Sequence, residues 1–169
     1  MRLIVCLVGA MLMLPACGGR TELVALPQIG RIADNAIVDH GGGVTVVARS
    51  GSWSGPPLVG IVPLELTIDN GSSVPVRIRH TDFVLVTPRG RVSPAAPPFE
   101  SAETGTPLPT AALAQHGLME GVLQPAGRVT GFIYFAGLDD GDTIDLVSTF
   151  VDASTDAAIA TVQMSFELD

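Results

Sequence analysis

Residues 62–78 read VPLELTIDNGSSVPVRI, and this stretch decides the fold class. Apolar and polar residues alternate over 64–69, which is the period-two pattern of a half-buried β-strand. Asn70-Gly71 follows, and both residues tolerate the positive φ angles of a tight turn. Because residues 74–78 alternate again, the sequence predicts two antiparallel strands joined as a hairpin at Asn70-Gly71.

Strand signals continue on both sides of this pair. Residues 128–135 (RVTGFIYF) are apolar on both faces, which predicts a central strand of a sheet. A short helix is expected from Thr110, its N-cap, to Gly117, which ends it. About seven strands separated by turn signals predict an all-β fold, an immunoglobulin-like antiparallel Greek-key β-sandwich. The remaining predicted strands are 44–49, 83–87, 143–151 and 160–168.

Five motifs of the chain support this interpretation. They are residues 62–70 (VPLELTIDN), 74–76 (VPV), 82–86 (DFVLV), 123–127 (LQPAG) and 131–135 (GFIYF). In this order they resemble the immunoglobulin-like domains of exported bacterial proteins, of the type of the mycobacterial immunoprotective extracellular protein. The resemblance implies a sandwich fold outside the cytoplasm and a binding role, and it implies no catalytic residues.

The N-terminus has the pattern of a bacterial lipoprotein signal peptide. Met1-Arg2 precedes the apolar stretch 3–14, and a helix of that length reaches only about 18 Å, short of a ~30 Å bilayer core. Residues 14–19 (LPACGG) resemble a lipobox, which implies cleavage before Cys17 and attachment of lipid, palmitate included, to this residue. The sequence thus predicts a signal peptide at 1–16 and a lipidation site at Cys17.

Three regions are expected from these patterns. The signal peptide at 1–16 is followed by the lipidated Cys17 and a tether over 17–43, and then by a β-sandwich domain over 44–169. The domain carries a Pro-rich insertion at 93–109. Gly18, and not Asp, follows the lipobox cysteine, which indicates the outer membrane, with the domain facing the periplasm or the cell surface.

Composition and charge exclude several classes of function. The chain has no Lys, nine Arg and 17 acidic residues, so chemistry that needs a lysine, such as a Schiff base or a P-loop, is excluded. Loss of Arg2 with the signal peptide leaves eight Arg against 17 acidic residues, a net charge of −9. A nucleic-acid partner is therefore not expected. Since Cys6 also leaves, Cys17 is the only cysteine of the mature chain, and no disulfide or cofactor is predicted.

The leading functional prediction is a lipid-anchored envelope lipoprotein that serves as a non-enzymatic binding or structural module, with an envelope protein as its partner. The alternative is a periplasmic hydrolase or small-ligand-binding protein with a site near the loop Pro94–Met119. An apolar pocket lined by Trp53, Glu100 and His116 would indicate this alternative. The segment Gly51–Gly55 (GSWSG) has the outline of a nucleophile elbow, but Trp53 occupies the nucleophile position.

Two charged clusters leave further alternatives open. Asp139, Asp140 and Asp142 surround a turn glycine and are calcium candidates, which would make the protein a calcium-dependent adhesion module. The other interpretation of this cluster is a solvated turn between strands. Four arginines, at positions 77, 79, 89 and 91, form either a patch that faces the membrane and binds anions or lipid headgroups, or ordinary pairs with neighbouring carboxylates.

Overall fold

The computed structural model describes residues 22–33, 35–55, 58, 60–94, 110–138, 141 and 143–168. Over these residues, two antiparallel sheets pack face to face as an all-β sandwich. The first sheet contains β1 (Leu23–Ala25), β6 (Val76–Ile78), β7 (Phe83–Thr87), β8 (Gly90–Val92), β9 (Gly121–Leu123), β11 (Thr143–Asp152) and β12 (Ala158–Leu168). The second contains β2 (Arg31–Ala33), β3 (Ala36–Gly41), β4 (Val44–Arg49), β5 (Ile61–Asn70) and β10 (Arg128–Ala136).

Each sheet has a defined strand order. In the second sheet the order is β10-β5-β4-β3-β2, and in the first sheet it is β1-β12-β11-β6-β9. Strand β7 also pairs with β11, and β8 pairs with β7 on its outer side. A single 3-10 turn at His80–Asp82 separates β6 from β7, so that both lie along β11.

The core lies between the two sheets and takes one face of each long strand. Every second residue of β5 and β12 is buried, which is the pattern expected for strands that present one face to a core. The aromatic rings of Phe83 and Phe150 meet edge to face at 5.9 Å between centroids. The prediction of an all-β sandwich is confirmed, and strands occur at all seven predicted positions. The predicted helix is also present, as α1 (Thr110–His116).

The predicted hairpin at Asn70-Gly71 is wrong. Strand β5 pairs with β4 and β10, whereas β6 pairs with β11 and β9, so the chain crosses between the sheets at this point. The buried side chain of Asn70 holds the crossing. Its Nδ2 donates to the carbonyls of Val74 and Leu123, both at 2.9 Å, and its Oδ1 accepts from the amide of Ser72 at 3.0 Å. An asparagine that bonds three backbone groups replaces the turn that Asn-Gly commonly forms.

The expected tether over 17–43 is also corrected, because the sandwich begins at Leu23. Strand β1 pairs with β12, and β3 pairs with β4, so residues 23–25 and 36–41 belong to the two sheets. Leu23 and Ile37 are fully buried. Strand β1 has only three residues, and β3 (AIVDHG) does not alternate strictly between apolar and polar residues, so neither gives a clear period-two signal in the sequence. With β2, β8 and β9, they raise the count to twelve strands in the described chain.

Candidate functional site

Strand β10 buries both of its faces, although it lies at the edge of the second sheet and not at its centre as predicted. Ile133 and Phe135 point into the core between the sheets. Phe132 and Tyr134 lie on the opposite face, where Leu113 of α1 packs against them in a second apolar cluster. The sequence signal for two apolar faces was therefore correct, but the covering layer is α1 with its neighbours and not a further strand.

Trp53 completes this second cluster from the loop between β4 and β5. Its ring meets those of Phe132, Tyr134 and His116 edge to face, with centroids 5.1, 5.7 and 5.5 Å apart. These are favourable aromatic geometries. The loop-like segment around Trp53 thus folds back over the outer face of β10.

Gly131 lets the chain that follows α1 approach the edge of β10. A Cβ at this position would lie 2.5 Å from the Cα of Leu118 and 2.6 Å from its nitrogen, a clash that glycine avoids. The amide of Leu118 donates to the carbonyl of Phe132 at 2.8 Å, and Gly117 forms a parallel bridge with Phe132. The end of α1 is therefore attached to the open edge of the second sheet.

A cleft of about 210 Å³ remains between α1, β10 and the 3-10 turn. Its walls are apolar apart from two side chains, those of His80 and Tyr134. Small-molecule sites are likewise mainly apolar with few polar groups, but they commonly enclose about 300–1,000 Å³, so this cleft is smaller than most of them. The lining residues are His80, Pro94, Leu113, Ala114, Gly117, Leu118, Phe132, Ile133 and Tyr134.

Both polar side chains of the lining make hydrogen bonds to the backbone of the segment around α1. The Tyr134 hydroxyl donates to the carbonyl of Leu113 at 3.0 Å, and burial raises the pKa of Tyr134 to about 12. The His80 Nε2 lies 2.6 Å from the carbonyl of Leu118, and the His80 amide donates to a carboxylate oxygen of Glu120 at 2.7 Å. The Tyr134 hydroxyl and the His80 ring are thus both engaged with backbone carbonyls, and the rest of the lining is apolar.

The predicted pocket residues are only partly brought together. Trp53 and His116 contact each other, but they border the cleft through the aromatic cluster and do not line it. Glu100 lies outside the described residues. The cleft is formed by Leu113, Leu118 and the outer face of β10, which sequence reasoning did not single out. One feature of the sequence could have indicated the cleft: residues 128–135 are apolar on both faces. Because the strand lies at the edge of its sheet, its outer face needs a covering layer, and the cleft forms beneath that layer.

Other predicted sites resolve in different ways. Gly51–Gly55 connects two antiparallel strands, β4 and β5, and therefore lacks the strand-to-helix turn of a nucleophile elbow. Arg77 forms an ion pair with Asp156, and Arg79 bonds Asp82 through two nitrogens, the shorter contact being 2.8 Å. These two arginines thus pair with carboxylates, as one of the two interpretations predicted.

The lipidation site and the calcium candidates lie outside the described part of the chain: Cys17, Asp139, Asp140 and Asp142. Within the residues that the structure describes, no three His, Cys, Asp or Glu side chains cluster closely enough to hold a metal ion. No helix among them has the length and apolar character to cross a membrane.

Comparison with known proteins identifies one solved structure with a similar fold. No protein-family model matches the chain, and no curated protein sequence matches it significantly. A solved structure described as a "putative lipoprotein (ycdA)" from Bacillus subtilis superposes with a TM-score of 0.51 at 13% identity. The match covers 77% of this chain and 38% of the other, so this chain spans well under half of that protein. The likeness shows a shared fold, and the immunoglobulin-like Greek-key topology stays a prediction.

Proposed function

We propose that the protein is a lipid-anchored lipoprotein of the cell envelope, whose sandwich serves as a non-enzymatic binding module. The observation that carries the proposal is the position of the folded domain relative to the lipobox. Leu23, only six residues after Cys17, is fully buried and pairs with Leu168 of the last strand. A lipid on Cys17 would therefore hold the sandwich directly at a membrane surface and not at the end of a long tether.

Two further points support the anchor. The fold relative from Bacillus subtilis is itself described as a "putative lipoprotein". Lipoproteins carry more than one acyl chain, and two or more chains are needed for stable anchoring, since one alone binds membranes only marginally. The finer assignment, to the outer membrane with the domain facing the periplasm or the surface, is part of this proposal and rests on Gly18.

A binding role fits the chemistry of the cleft. Its walls are mainly apolar, and the Tyr134 hydroxyl and the His80 ring are both committed to backbone carbonyls. Both groups thus position the segment around α1, which leaves apolar contact as the main interaction that the cleft offers to a partner. The envelope protein predicted as a partner belongs to this proposal.

The anchor is tested in cells that express the full chain. Cys17→Ala should abolish incorporation of radioactive palmitate and move the protein from the membrane fraction to the soluble fraction. Cys6→Ala is the matched control, because it removes the other cysteine without touching the lipobox, and it should leave both measurements unchanged. Membrane retention of Cys17→Ala at the level of the unmodified chain would contradict the proposal.

The cleft supports a second candidate function, the binding of a small apolar molecule near the Pro94–Met119 loop. A cavity of about 150 Å³ with apolar walls is large enough to bind benzene. The cleft beside β10, at about 210 Å³, exceeds this volume, which supports the binding of a molecule of the size of benzene.

This candidate is tested by titrating the full chain, solubilised in detergent, with benzene while following the methyl resonances of Leu113 and Leu118. Saturable shifts are expected in the unmodified chain. Ala114→Trp should abolish them, because Ala114 lines the cleft. Gln115→Trp is the control, since Gln115 is exposed and is not among the lining residues. Equal shifts in both variants would argue against specific binding.

A further inference from the structure

The loop before β2 and the strand itself, residues 27–33, expose apolar side chains at the side of the sandwich where the N-terminus enters. Ile29 is completely exposed, and 56% of Ile32 is exposed. Pro27 and Ala33 are exposed as well. We call residues 27–33 the Ile29 segment.

The exposure of Ile29 is imposed by a tight, well-fixed turn. The amide of Arg31 donates to the carbonyl of Gln28 at 3.2 Å, and Gly30 adopts a φ of 96°. Any Cβ at Gly30 would meet the carbonyl oxygen of Val38 at 2.1 Å. The Gln28 side chain bonds the carbonyl of Ser165 at 2.9 Å and fastens the turn to β12. Turns usually contain Gly, Pro, Asn, Asp or Ser, so an isoleucine at this position is unusual. Because its side chain is exposed, it does not contribute to the packing of the core, and this points to another role.

The position of the Ile29 segment relative to the anchor follows from the chain. A Cβ placed on Gly51 would lie within 3.5 Å of both the Glu22 carboxylate and the Asn35 amide, so the N-terminal entry is beside the turn between β2 and β3. Residues 18–22 span at most about 18 Å when fully extended. Ile32 is three residues from Asn35, a further ~11 Å at most. The segment is thus within reach of the surface to which a lipid on Cys17 would fasten the chain.

We propose that the Ile29 segment is a membrane contact, in which Ile29 and Ile32 pass the headgroups and reach the upper part of the acyl chains in the leaflet that holds the lipid anchor. This inference rests on the proposed lipidation of Cys17. The mature chain carries a net charge of −9, so attraction to anionic lipid does not drive the membrane contact. The burial of apolar surface drives it. Contact at a second point orients the sandwich and keeps the cleft beside β10 at a defined angle to the membrane.

The test uses the full chain, purified from membranes and reconstituted into phosphatidylcholine vesicles with brominated acyl chains. Ile29→Trp places a quenchable indole in the segment. Val122→Trp is the matched control, because Val122 is also an exposed apolar residue, on β9. Val122 pairs with Arg77, which in turn pairs with Val151 of β11. The N-terminal strand β1 lies at the other end of β11, beside Thr143, eight residues from Val151. At about 3.3 Å per residue, the control position is therefore roughly 25 Å from the end of the sheet where β1 lies. Trp53 contributes the same background to both variants.

We expect quenching of the new indole to be at least about threefold stronger in Ile29→Trp than in Val122→Trp, since bromine quenches only within the acyl region. The result should persist at high salt, because apolar burial is not screened. Equal quenching in the two variants, with the unmodified chain floating with the vesicles, would overturn the membrane contact alone. Failure of the unmodified chain to float would overturn the anchor and the contact together.

Discussion

Asn70 shows how one side chain joins the two layers of this sandwich. Besides its side-chain bonds, its backbone amide donates to the carbonyl of Gly127 and its carbonyl accepts from the amide of Ala126. The residue therefore connects the end of β5 with the loops before β6 and β10. Only an amide side chain supplies both the donors and the acceptor that this buried position needs.

Replacing Asn70 with Ala should lower the free energy of unfolding by about 3 kcal/mol, because the amide of Ser72 and the carbonyl of Leu123 lose their side-chain partner and the carbonyl of Val74 keeps only the hydroxyl of Ser72. Urea denaturation followed by circular dichroism measures the change. Asn35→Ala is the control: within the described residues the Asn35 side chain makes one hydrogen bond, to the carbonyl of Ser50 at 2.9 Å, and about 1 kcal/mol is expected. Similar losses in the two variants would show that Asn70 does not organise the crossing.

At the scale of elements, seven of the twelve described strands were predictable from the sequence, whereas the other five and the pairing of the strands were not. Periodic burial depends on the strand alone, so β5 and β12 were evident. The partner of a strand depends on the connection between strands. An Asn-Gly pair occurs both in hairpin turns and in this connection between the two sheets, so the sequence at 70–71 does not distinguish them. The cleft was not predictable for a related reason: it depends on where α1 docks, which the apolar outer face of β10 permits without specifying.

Gly131 tests the docking of α1 on β10. Glycine weakens a strand, so Gly131→Ala would ordinarily stabilise β10 by about 0.5–1 kcal/mol. Here we expect a loss of about 2 kcal/mol, because the added methyl group collides with the backbone of Leu118. The emission of Trp53 should also shift to longer wavelength, since displaced α1 takes His116 away from the indole. Urea denaturation and fluorescence measure the two effects.

Thr130→Ala is the control for this substitution, because Thr130 is the neighbouring exposed residue of β10 and its hydroxyl contacts that of Thr67 at 3.0 Å. We expect a loss below about 1 kcal/mol and no change in the emission of Trp53. A stabilised Gly131→Ala variant would show that the segment after α1 does not rest on the strand.

For the whole molecule, the composition of the chain allows the ionisation of one buried side chain, Tyr134, to be followed through the pH dependence of stability. The chain has no Lys and a single Tyr, Tyr134, so between pH 10 and 12 no other side chain of these two types changes its charge. Tyr134 is 4% exposed, and burial raises its pKa from 10.0 to about 12. The stability of the whole sandwich in this pH range should therefore report on the docking of α1, through the hydroxyl that bonds Leu113.

The raised pKa of Tyr134 determines whether the stability of the sandwich rises or falls with pH. The folded state keeps the phenol neutral above pH 10, where the unfolded chain releases the proton, so the stabilisation is complete below pH 10 and is lost as the pH rises to about 12. A loss of about 2–3 kcal/mol over this interval is expected. Tyr134→Phe should start about 1 kcal/mol lower, because the carbonyl of Leu113 loses its donor, and should show no decline between pH 10 and 12. Thermal unfolding at a series of pH values measures both curves, and a parallel decline in the variant would contradict the assignment to Tyr134.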